Sequence, residues 1–94
     1  MRDQRERVYS IERIVKNEFR YALAANLIIQ EQHDHYLQEL KELTDYIYEK
    51  YKNKIAFYPE DWQKINAYYE SIIALDFVRS YIKEDLKYLW LIER

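Results

Sequence analysis

Glu31, His33, Asp34, His35 and Glu39 form the densest set of side chains able to bind a metal or move a proton in this 94-residue chain. On a helix Glu31, His35 and Glu39 share one face at i, i+4 and i+8, a spacing that could supply two or three ligands to one ion. Di-iron bundles need Glu-x-x-His from two helices. Here Gln30 stands three residues before His33, and Gln32 three before His35. The cluster therefore reads as a polar turn or a solvated helix face, and no metal is assigned. His33 differs from His35 in falling on an apolar stripe, where a histidine is more often a hydrogen-bonded core or boundary residue than a ligand.

Acid–base or covalent chemistry would need carboxylates with shifted pKa values or a nucleophile beside a base. The hydroxyls Ser10, Thr44, Ser71 and Ser80 all lie in helical segments, with no histidine near them in sequence. Asp76 shares a stripe with Trp62, Tyr69 and Ile73, and Arg79 follows it by three residues. That spacing reads as an intrahelical ion pair at the edge of an interface rather than as a catalytic acid. The chain contains no Gly and no Cys. Without Gly there is no phosphate-cradling loop, dinucleotide fingerprint or nucleophile elbow, since each needs a backbone position only Gly fills without strain. Without Cys there is no thiolate zinc site, disulfide framework or thiol nucleophile. No catalytic residue and no cofactor are assigned, and a non-enzymatic protein is expected.

Aromatic side chains are the remaining resource: eleven Tyr, three Phe and two Trp. Tyr offers a large apolar body with a polar tip, which suits half-buried bundle positions and protein interfaces. The stretch Tyr48, Lys50, Tyr51, Lys52 and Lys54, continued by Phe57 and Tyr58, could instead stack bases and hold phosphates. The same lysines also suit the negative end of a helix dipole.

The elements that must position these groups are helical. Val8, Ile11, Val15, Phe19, Ala22, Asn26, Ile29, His33, Leu37, Leu40, Leu43, Ile47 and Tyr51 recur at steps averaging about 3.6 residues, the period of a straight α-helix. Asp3 and Glu6 have capping-box spacing at its start, and Asn53 among Lys50, Lys52 and Lys54 suits its end. Asn26 on this stripe either fixes the register of an assembly as a buried polar group or sits at the edge of the stripe. Pro59 with Glu60 and Asp61 starts a second long helix, expected over about 59–92. Its apolar residues occupy two stripes, so it should be covered by more than one neighbour.

Two continuous helices would be ~65–70 Å and ~50 Å long, and a lone hairpin of them would leave most of its apolar surface wet. The fold class is therefore all-α in one domain over residues 1–94. It is either a long helical hairpin that dimerises as a four-helix bundle or a three-helix bundle whose first helix breaks near residues 30–35, with Asp34 as the new N-cap. Charge is nearly balanced, 15 Lys plus Arg against 17 Asp plus Glu, and avid nucleic-acid binding is not implied. The first twenty residues are rich in charge, no run reaches a bilayer span, and a cytoplasmic chain is expected.

The function expected is a helical protein–protein interaction module, a small regulator or inhibitor of phage or mobile-element type, acting as a homodimer or on a larger protein. Trp62, Tyr69, Ile73, Phe77, Tyr81 and Trp90 are its expected interface. The alternative is a nucleic-acid-associated protein using Tyr48, Lys50, Tyr51, Lys52 and Lys54.

Overall fold

In the computed structural model, residues 4–90 are described, with only the backbone of Gln4, Arg5 and Trp90. Four helices follow one another: α1 Gln4–Ala24, α2 Gln30–Lys52, α3 Pro59–Ile73 and α4 Ser80–Trp90. No strand occurs among the described residues. The all-α class follows directly from the 3.6-residue spacing, but both long helices are interrupted.

The first interruption spans residues 25–29, just before the polar run at 30–35. Asn26 takes φ 62°, the left-handed region. Its N–H donates to the Leu23 carbonyl at 3.1 Å and the Leu27 N–H donates back to the Ala22 carbonyl at 2.8 Å, a Schellman ending. Asn26 is exposed. It is thus neither a buried register residue nor a stripe-edge residue of a continuing helix, but the residue that ends α1, because Asn tolerates this conformation better than other non-glycine residues. The N-cap of α2 is Ile29, not Asp34. Gln32 Oε1 accepts the Ile29 N–H at 3.0 Å, which is the backward half of a capping box.

The same device ends α2, with Lys54 rather than Asn53 in the left-handed region at φ 54°. Lys54 N–H donates to Tyr51 O at 3.2 Å and Ile55 N–H to Lys50 O at 2.9 Å. Pro59 then opens α3 as its sequence neighbours require, with Asp61 Oδ2 accepting the Tyr58 N–H at 2.7 Å. The expected capping box of Asp3 and Glu6 lies partly outside the described residues.

The helix expected over 59–92 is two helices, separated at residues 74–79. This explains the two apolar stripes. Ile65 and Ile72 belong to the inward face of α3, and Leu86 with half-buried Ile82 and Leu89 to that of α4. Each helix is one-sided, and the two stripes are the inward faces of two separate helices. The principal core joins Ile11, Val15 and Phe19 of α1 to Leu40, Ile72, Val78 and Leu86. A smaller cluster of Leu43, Ile47 and Ile65 sits toward the α2–α3 connection, covered by Val8, Tyr51, Phe57 and Trp62. α1 packs against both α2 and α4, so its stripe is buried within one chain.

Candidate functional site

The connections 25–29 and 74–79, with the helix ends beside them, line an open cleft of about 740 Å³ at one end of the bundle. Tyr21, Leu27, Ile28, Gln32 and Tyr36 line one side, and residues 74–80 the other. Tyr21, Tyr36 and Phe77 are its aromatic lining, with Phe19 packed behind them. Phe19 is fully buried and stacks on Tyr36 at 5.1 Å between centroids, while Phe77 meets Tyr36 at 5.7 Å and Phe19 at 6.4 Å.

Glu18 and Arg79 hold this end together across 61 residues of sequence. Glu18 is only 2% exposed. Its carboxylate accepts from Arg79 Nη2, from Nε at 3.2 Å and from the Arg79 backbone N–H at 3.3 Å. A buried carboxylate needs such donors, because its desolvation is otherwise prohibitive. Arg79 in turn accepts at its carbonyl from the Ile82 and Lys83 N–H groups, and so caps α4. Tyr21 and Tyr81 flank the guanidinium, with ring centroids 3.9 and 5.2 Å from its central carbon. The Asp76–Arg79 ion pair expected from spacing does not form, since the chain is not helical there and Arg79 turns to Glu18. Asp76 is exposed and lines the cleft without an ion-pair partner among the described residues.

The opposite end is organised by Asp61, 4% exposed. It accepts from the Tyr46 hydroxyl, the Tyr58 N–H at 2.7 Å and Lys50 Nζ at 2.9 Å. The Tyr46 and Tyr58 hydrogen bonds, ahead of the Lys50 cation and against burial, pull its pKa from 3.8 down to about 2. Farther along α1, half-buried Glu12 accepts from Thr44 Oγ1 and the Tyr48 hydroxyl, each at 3.3 Å. Burial, with Glu12 second, pushes the Tyr48 phenol up to about 12.

These contacts redistribute the basic and aromatic stretch. Lys50 is committed to Asp61, Tyr48 to Glu12, and Tyr51 packs edge-on against Phe57 at 5.5 Å. Lys52 and Lys54 alone of the five are exposed. Among the expected interface residues, Trp62 is half-buried against Phe57, and Tyr69 and Ile73 are half-buried on α3. Phe77 lines the cleft and Tyr81 is exposed beside it, whereas the Trp90 side chain lies outside the described residues.

His33 and His35 point apart. His33 is buried, with Nδ1 3.2 Å from Asp34 Oδ1 and no hydrogen-bond partner at Nε2. His35 is exposed, its Nε2 3.6 Å from Glu39. Among the described residues no group of three or more His, Asp or Glu side chains is placed to hold a metal ion. Nor is any helix among the described residues long and apolar enough to cross a membrane.

Glu18, Tyr21, Leu27 and Tyr36 are the site residues that sequence reasoning missed. Glu18 carried a signal, an acid one position from the α1 stripe, but its partner is remote and cannot be read from spacing. No protein-family model, curated protein or solved structure matches the chain.

Proposed function

We propose that this chain is a non-enzymatic helical module, a small cytoplasmic regulator or inhibitor of phage or mobile-element type, that acts by binding a larger protein through the cleft end. The observation that carries this reading is the apolar rim there. Leu27 is 53% and Ile29 63% exposed, with Tyr21 and Tyr81 exposed beside the aromatic cleft. Scattered exposed apolar residues are ordinary, whereas a group of them around a concavity is characteristic of interaction sites. The homo-oligomeric form of the proposal is a second copy on the same surface, giving a dimeric bundle.

A photo-crosslinking residue placed at Leu27, and as a control at Tyr88 on the far part of α4, tests the reading in the cells that make the protein. A protein adduct formed from position 27 and not from 88 is expected. An adduct of twice the chain mass would identify the partner as a second copy. Nucleic-acid adducts, or no position-specific adduct, would overturn the proposal.

A further inference from the structure

We infer that the cleft accepts a protein segment presenting a Lys or Arg side chain beside apolar ones. The inference rests on the interaction reading above and specifies the chemistry of its partner. Two charged residues line the cleft, Asp76 and Arg79. The charge of Arg79 is cancelled by buried Glu18, and Tyr21 and Tyr81 flank its guanidinium. Asp76 is exposed with no counter-charge among the described residues, so the uncompensated charge of the cleft is negative. An anionic segment would have to compete with Glu18 for Arg79, and Glu18 is held by both the guanidinium and the backbone N–H.

The occupant is a protein segment rather than a small molecule because exposed apolar surface continues from the cleft residue Leu27 past the cavity onto Ile29. A volume of about 740 Å³ admits a few side chains, and the rim supplies contact for their flanks.

Selection of random displayed peptides on the full chain tests this, with Asp76→Asn, Asp76→Lys and Leu27→Asp variants checked for helicity by circular dichroism. Both positions are exposed, so the fold should survive. Wild type is expected to enrich peptides carrying Lys or Arg next to apolar residues. Asp76→Asn should weaken them about two- to fivefold, the range of a partly exposed charge pair. Asp76→Lys should shift enrichment toward acidic peptides, and Leu27→Asp should abolish binding. Enrichment without basic residues, binding indifferent to Asp76→Lys, or no enrichment at all would overturn the inference. A position-27 crosslink together with any of these results would remove the inference and leave the interaction reading standing; loss of the crosslink would remove both.

Discussion

Asp61 is a carboxylate that three donors, two from α2 and one from the connection before α3, hold in its charged form, which lowers its pKa to about 2. Its folded value lies below the unfolded one, so the stabilisation is complete above the ordinary carboxylate range and is lost as pH falls from about 4 toward 2. Asp61→Asn should therefore lower the urea midpoint at pH 7, and the gap to wild type should close as the titration, followed by circular dichroism, approaches pH 2. A gap independent of pH would show that the carboxylate charge contributes nothing. Glu18 poses the complementary case, a buried acid whose cation comes from a remote part of the chain. Arg79→Met strands that acid without its counter-charge, whereas Glu18→Leu with Arg79→Met removes both. The single variant is expected to be the less stable of the two in urea unfolding.

At the scale of elements, two Schellman endings in a chain without glycine place Asn26 and Lys54 in the left-handed region. Asn accommodates that geometry and Lys does so at a cost, since its Cβ crowds the following carbonyl. Lys54→Gly should stabilise the protein by about 0.5–1 kcal/mol, less than the full steric relief because glycine also frees the unfolded chain. For a domain of this size that corresponds to about 2–8 °C in Tm, read by calorimetry. The start of α3 was legible because Pro59, Glu60 and Asp61 act locally on the first turn. The helical period was legible for the same reason: Val8 through Tyr51 repeat a local geometry. The breaks were not. Asn26 reads equally well as a buried polar residue until the exposure of its surroundings is known. The break at 74–79 contains neither Gly nor Pro; what accompanies it is Glu18, 61 residues away, taking the Arg79 N–H that a continuous helix would spend on a residue-75 carbonyl. The cleft shares that origin, because each break contributes to one of its walls.

For the whole molecule, the two ends are secured by different means, and this sets which part opens first. The Asp61 end lies beside a small core of Leu43, Ile47 and Ile65 roofed by aromatics. The cleft end depends on α4, 11 residues long, attached through Val78, Leu86 and the Glu18–Arg79 pair. So short a helix has little stability of its own and derives it from packing. Native-state hydrogen exchange should accordingly find the amides of α4 opening at lower free energy than those at the centres of α1 and α2. Arg79→Met should accelerate exchange across α4 selectively, because it removes a tie made only there. Leu86→Ala provides the calibration: Leu86 is fully buried, and the cavity should cost about 2–5 kcal/mol, a large share of the roughly 5–15 kcal/mol that holds a domain together. If Arg79→Met instead accelerates all four helices equally, α4 unfolds only with the whole chain. The cleft would then be as rigid as the core beneath it, and its partner would meet a preformed surface with no ordering cost to offset.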